Sequence, residues 1–75
     1  MRTLREIAID IQRDWKNVYF GAAPYLDAMK HLVSVDDQYV NESAESVVNH
    51  FLANAGSWRG ESARRIKTEL RSMLT

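Results

Sequence analysis

Two histidines are the first side chains in this sequence whose chemistry suits catalysis or metal binding. His31 and His50 lie far apart in the sequence. His31 has one carboxylate at helical spacing, Asp27, four positions before it, and His50 has none. A zinc site needs about three or four ligands, and the chain has no cysteine. We interpret both histidines as solvent-facing helical residues. The sequence also lacks the glycine-rich phosphate loop and the serine-nucleophile motif. We therefore predict no metal site, no cofactor and no enzyme activity.

The segment DDQYVNESAES contains two weaker motifs. Its acidic start has the character of a calcium loop, but Tyr39 occupies a position that needs an oxygen ligand, so we reject a calcium site. Asn41 begins a formal glycosylation sequon, Asn-Glu-Ser. We interpret it instead as part of a helix cap, because Asn and Ser side chains accept bonds from the free amides at a helix start.

Clustered aromatic residues are a candidate protein-binding site. Four of them lie close together in the first third of the chain, and a tryptophan precedes the last predicted helix. The set comprises Trp15, Tyr19, Phe20, Tyr25 and Trp58. Two explanations stay open. Large aromatic side chains fill the cores of small bundles, and exposed Trp and Tyr side chains anchor protein interfaces.

Basic residues on the last predicted helix form a further candidate site. At about 100° per residue, Arg64, Lys67 and Arg71 lie along one flank of the apolar side, and Arg59 precedes the helix. Such residues contact the phosphates of a nucleic acid or an acidic partner. The alternative is a solvated helix face that pairs with the acidic middle of the chain.

The charge pattern bears on both explanations of the basic residues, nucleic-acid or acidic-partner contact and a solvated helix face. Residues 18–57 hold one basic and five acidic side chains, whereas residues 58–75 hold five basic and two acidic ones. A helix-turn-helix with Gly56 in the turn is conceivable, but Leu52 and Ser62 do not fit its usual pattern. The net charge of zero argues against strong nonspecific DNA binding.

Four amphipathic helices are predicted to position these residues. Three Gly and one Pro leave few helix breaks. The first predicted helix starts at Thr3 with a Thr3–Glu6 capping box, and the second runs from about Pro24 to Val33. The third runs from 41–43 to about Asn54 with Gly56 as its cap. The fourth begins within 57–61 and runs to about Leu74. No strand is predicted. The fold class is therefore all-α, a compact bundle of about four short helices.

The length of the chain sets limits on its organisation. Seventy-five residues predict a single domain over residues 1–75 with a thin stability margin. A partner, or a second copy in a homodimer, is therefore expected. No apolar run approaches the roughly 20 residues that span a bilayer, and the first residues lack the apolar region of a signal peptide. We predict a cytoplasmic protein without a membrane segment.

Three blocks of the sequence resemble a known group of proteins. YFGAAPYLDAM from Tyr19, FLANAGSWRG from Phe51 and ARRIKTEL from Ala63 are similar to small helical proteins encoded in bacteriophage and prophage genomes. The resemblance implies a small accessory protein in a bacterial cytoplasm and implies no mechanism. Our leading hypothesis is a non-enzymatic module that binds a protein partner. The alternative is a nucleic-acid-binding module that uses the basic face of the last helix.

Overall fold

The first helix begins at the predicted capping box. In a computed structural model, which describes residues 2–39 and 42–74, the Thr3 hydroxyl accepts a hydrogen bond from the Glu6 amide at 3.1 Å. The Glu6 carboxylate accepts one from the Thr3 amide at 2.8 Å. These bonds satisfy backbone donors that the start of a helix leaves free. Helix α1 then spans Leu4–Asp14.

The described residues form four helices and one pair of very short strands, which confirms the all-α fold class. After α1 come α2 (Ala23–Met29), β1 (Gln38–Tyr39), β2 (Glu42–Ser43), α3 (Ala44–Ala53) and α4 (Glu61–Met73). The strands pair antiparallel, with Gln38 opposite Ser43. The strand pair was not predicted, because two-residue strands are too short to show an alternating pattern. Asn41 lies outside the described residues. Ser43 of the same sequon caps α3, as the cap interpretation expects, and its hydroxyl accepts a hydrogen bond from the Ser46 amide at 3.1 Å.

The core forms where the apolar faces of the helices meet. Helix α1 packs against both α2 and α4, and α3 packs against α2. The predicted stripes on α1, α3 and α4 are buried, as helical spacing requires. The largest side chains that are fully buried are Phe51, Leu4, Ile7, Ile11, Met29, Leu32, Ile66, Leu70, Val47 and Val48.

The second helix is shorter than the sequence predicts. It ends at Met29, and Val33, the last residue of the predicted helix, is 62% exposed. After Met29 the amides of residues 30–32 bond to carbonyls only three residues back, and the next residue, Val33, bonds outside the helix. The Val33 carbonyl accepts from the Leu4 amide at the start of α1, at 2.9 Å. The Val33 amide donates to the Asp37 carboxylate at 2.8 Å. Both backbone groups of Val33 are therefore engaged outside the helix.

Helix α3 ends without the glycine cap predicted at Gly56. The Asn54 amide donates to the Phe51 carbonyl at 3.0 Å, and the Asn54 side chain donates to the His50 carbonyl at 2.8 Å. These bonds close the last turn locally. The glycine with a left-handed backbone is Gly60, at φ 111°, which precedes α4. Gly60 is thus the position where the chain uses the conformational freedom of glycine.

Candidate functional site

The two tryptophans belong to the core, which agrees with the first of the two explanations of the aromatic cluster and removes both from the candidate binding patch. Trp15 is 7% exposed and Trp58 is 2% exposed. Their rings stack at 5.6 Å between centroids and 9° between planes, and both meet the edge of Phe51. The Trp58 indole N–H donates to the Asp14 carboxylate at 2.8 Å. A buried indole with its one donor satisfied is a structural side chain.

The exposed part of the aromatic cluster is the loop between α1 and α2, residues 15–22, which we call the aromatic loop. Phe20 is 80% exposed and Tyr19 is 44% exposed. Their rings lie 4.8 Å apart between centroids. Burial thus divides the predicted cluster into a tryptophan pair inside and a Tyr19–Phe20 pair outside.

Tyr25 lies outside the aromatic loop and packs against a histidine of α3. It is half-buried, and its ring stacks on His50 at 5.1 Å and 16°. The His50 Nδ1 atom lies 2.8 Å from the Ser46 carbonyl oxygen. His50 therefore takes part in local packing on α3. Among residues 2–39 and 42–74, no group of three or more metal-ligating side chains comes together.

The predicted basic residues line one groove that follows α4 from the residues before it to Arg71. We call this groove the basic groove. Its volume is about 380 Å³. Arg59, Arg64, Lys67 and Arg71 all border it. Gly60 and Ala63, which carry little or no side chain, also border it. The structure therefore brings together all four residues of the predicted stripe.

Lys67 differs from the three arginines, because it is fixed in place. Its ammonium donates to the Ala55 carbonyl at 2.8 Å and to the Trp58 carbonyl at 2.7 Å. It also lies 5.7 Å from the centre of the Trp58 ring. Burial lowers the pKa of Lys67, and the charges of Arg71 and Arg59 lower it further. The sequence left open a phosphate contact or a solvated flank for Lys67, and it did not predict that Lys67 holds the α3–α4 connection.

The acidic middle of the chain does not neutralise the basic groove, contrary to one of the two explanations of the stripe. Within residues 2–39 and 42–74, the ion pairs link Arg2 to Asp10 and Glu69, and Lys30 to Asp27. Among the described residues that line the groove, the one carboxylate is Glu61.

Arg2 joins the start of the chain to α4, a role that sequence reasoning missed. Its guanidinium donates to the Glu69 carboxylate at 2.6 Å and 3.1 Å and to the Asp10 carboxylate at 2.8 Å. These hydrogen bonds lower the pKa of both carboxyl groups. No local signal in the sequence reveals the contact between Arg2 and Glu69, because the two residues stand at opposite ends of the chain.

The helix-turn-helix hypothesis does not fit the observed packing. That motif joins two helices by a turn of about three or four residues and packs them on each other. Here the connection runs from Asn54 to Gly60, and α4 packs chiefly against α1. A basic helix is present, but it is not presented as a recognition helix.

Comparisons with known proteins complete the description of the site. The chain matches no protein-family model, no curated protein and no solved structure. In the part of the chain that the structure describes, no helix has the length and apolar character to cross a membrane.

Proposed function

We propose that this chain is a non-enzymatic module that binds a protein partner through the aromatic loop. The observation that carries the proposal is the position of Phe20, a large apolar side chain left 80% exposed beside a half-exposed Tyr19. Aromatic side chains dominate the binding energy of protein interfaces. An exposed aromatic pair on a defined loop is a suitable anchor for a partner.

The loop is held in one conformation before any partner binds. The Tyr19 carbonyl accepts hydrogen bonds from the amides of Ala22 at 2.9 Å and Ala23 at 3.1 Å. The Tyr19 ring lies directly over Gly21, where an added Cβ would come within 2.5 Å of the ring. A preformed loop loses little conformational freedom on binding, and this favours affinity.

A shallow depression lies at the base of the aromatic loop, between α1 and α2. It has a volume of about 340 Å³, and its lining includes Val18 of the loop, Gln12 of α1, and Ala23 and Pro24 of α2. A partner that binds the loop and also fills this depression would extend the interface from Phe20 onto the two helices.

The energetic contribution of Phe20 sets the size of the expected effect. Covering a phenylalanine side chain contributes about 1.5–3 kcal/mol, which corresponds to roughly 10- to 100-fold in affinity. We expect Phe20→Ala to weaken partner binding by that factor. Because Phe20 is mostly exposed in the free chain, the free energy of unfolding is expected to change by less than about 0.5 kcal/mol.

Site-specific photo-crosslinking in bacterial cells tests the proposal. A photoreactive phenylalanine analogue replaces Phe20 in one variant and Asn49, an exposed residue of α3, in the control. We expect one discrete adduct from position 20, of defined mass, and none from position 49. An adduct at twice the mass of the 8.6 kDa chain would identify the partner as a second copy. Equal labelling from both positions, or no adduct from position 20, would refute the proposal.

The cellular setting belongs to the same proposal. The resemblance of three sequence blocks to small phage and prophage proteins supports an accessory role in a bacterial cytoplasm. The small size of the chain supports a role in which binding itself is the activity, because a 75-residue bundle offers little room for an enclosed substrate pocket.

A further inference from the structure

The basic groove is a second surface, and the protein-binding proposal leaves it unused. Four cations border it, against one carboxylate, Glu61. Arg59, Arg64 and Arg71 are exposed, so their guanidinium groups are open to an approaching anion. By contrast, Arg2 is bound by two carboxylates elsewhere on the surface. The positive charge of the groove therefore stays available for a ligand.

Lys67 gives the groove a fixed point. An ammonium group has three donors, and two of them bond the Ala55 and Trp58 carbonyls. Among the residues that the structure describes, the third donor has no hydrogen-bond partner. Because Lys67 is already immobilised, an anion that contacts it loses little side-chain freedom. The charges of Arg71 and Arg59 repel the Lys67 ammonium and contribute to its lowered pKa. A bound anion would relieve that repulsion.

The cations follow one another along α4, and this spacing bears on the kind of anion that the groove suits. Arg64, Lys67 and Arg71 succeed one another on α4, and at about 1.5 Å per residue they cover roughly 10 Å of the helix axis. A row of cations of that length fits several linked charges better than one isolated ion. Three of the four cations are arginines, whose planar fork of donors bonds phosphate oxygens in pairs.

The aromatic ring at the groove is not available to bases. Trp58 is 2% exposed and its ring is stacked on Trp15, so it offers no platform for base stacking. Contacts in the groove are therefore made to the backbone of a nucleic acid, which carries charge but no sequence information. We propose that the basic groove binds the phosphodiester backbone of a nucleic-acid strand, without sequence preference.

Fluorescence anisotropy with a labelled single-stranded 20-nucleotide DNA tests this proposal. The groove variant is Arg59→Ala/Arg64→Ala/Arg71→Ala, which keeps Lys67 and its hydrogen bonds. The control variant, Arg5→Ala/Arg13→Ala/Lys16→Ala, removes the same charge from exposed positions on and after α1. Circular dichroism checks that both variants keep the helical fold.

The expected results follow from the number of phosphate contacts. For single strands, the logarithm of affinity falls with that of salt at about 0.7 per contact. Four contacts give a slope of roughly −3, and the groove variant is expected to show about −1. At low salt we expect the groove variant to lose at least about tenfold in affinity, and the control variant less than about threefold.

Three outcomes would overturn the proposal: no binding by the unmodified chain at low salt, equal losses in the two triple variants, or equally strong binding of a poly-glutamate peptide of matched charge. The last outcome would make the groove a site for acidic proteins. The variant Phe20→Ala separates the two surfaces. It is expected to bind DNA like the unmodified chain while losing its protein partner.

Discussion

Replacing Trp58 by phenylalanine tests whether the tryptophan pair is the structural centre of the bundle. The indole is almost fully buried, stacked on Trp15 and hydrogen-bonded to Asp14 at 2.8 Å. Loss of that hydrogen bond costs about 1 kcal/mol, since Asp14 is exposed and water replaces part of the interaction. The smaller ring removes further buried apolar surface and leaves a cavity, which together cost about 1–2 kcal/mol.

The total loss of about 2–3 kcal/mol is large for a chain of this size. At roughly 0.05–0.15 kcal/mol per residue, 75 residues give a free energy of unfolding of about 4–11 kcal/mol. Trp58→Phe is therefore expected to remove roughly a fifth to three quarters of it and to lower the melting temperature by about 10–20 °C. Urea denaturation followed by far-ultraviolet circular dichroism measures the free energy change.

A double-mutant cycle separates the hydrogen bond from the packing. Asp14→Ala alone removes the acceptor, and the double variant with Trp58→Phe removes both groups. We expect a coupling energy of about 1 kcal/mol, because the same hydrogen bond is lost in each single variant. If Trp58→Phe costs less than about 0.5 kcal/mol, or the coupling energy is zero within error, the indole does not have the buried role described here.

Two other perturbations test the caps and the charges. Gly60→Ala is expected to destabilise the fold by about 1 kcal/mol, because φ 111° strains any residue with a Cβ, whereas the matched Gly56→Ala is expected to leave thermal stability unchanged or slightly raised. Thermal melts compare the two, and equal losses would contradict the assignment. Arg2 lowers the pKa values of Asp10 and Glu69 in the folded chain. The two carboxylates therefore stabilise the fold above their unfolded-state pKa values, near 4, and this stabilisation is lost as the pH falls through their lower folded-state pKa values. Arg2→Met is expected to flatten the stability profile in that acid range, and an unchanged profile would show that Arg2 does not hold these carboxylates.

The helices were predictable because their signals are local. Thr3 and Glu6 stand one turn apart and meet whatever the rest of the chain does. The end of α2 was not predictable, because Val33 leaves the helix for the Leu4 amide, which lies far away in the sequence. Propensity at Val33 gives no information about that partner. Local rules therefore located the starts of helices better than an end that a distant contact decides.

The candidate sites show the same division. Trp15 continues the apolar stripe of α1, so its burial had a signal in the spacing. Trp58 precedes α4 and belongs to no stripe, and its burial depends on contacts with Trp15, Phe51 and Asp14 from other parts of the chain. Phe20 lies in a loop, where helical spacing does not predict whether a side chain is buried. Burial decided which members of the aromatic cluster remain able to contact a partner.

The net charge of zero was a poor guide to the surface, and the reason lies in how the carboxylates are used. Ten acidic and ten basic side chains cancel over the whole chain. Asp10 and Glu69, however, both bind Arg2, on a different part of the surface from the basic groove. A bound ligand responds to the potential near its own charges, which screening limits to about 10 Å at ordinary salt. The described residues that line the groove include four cations and one carboxylate. The composition argument against nucleic-acid binding therefore applies to the whole chain and not to the groove, where the salt dependence of DNA binding gives the relevant measurement.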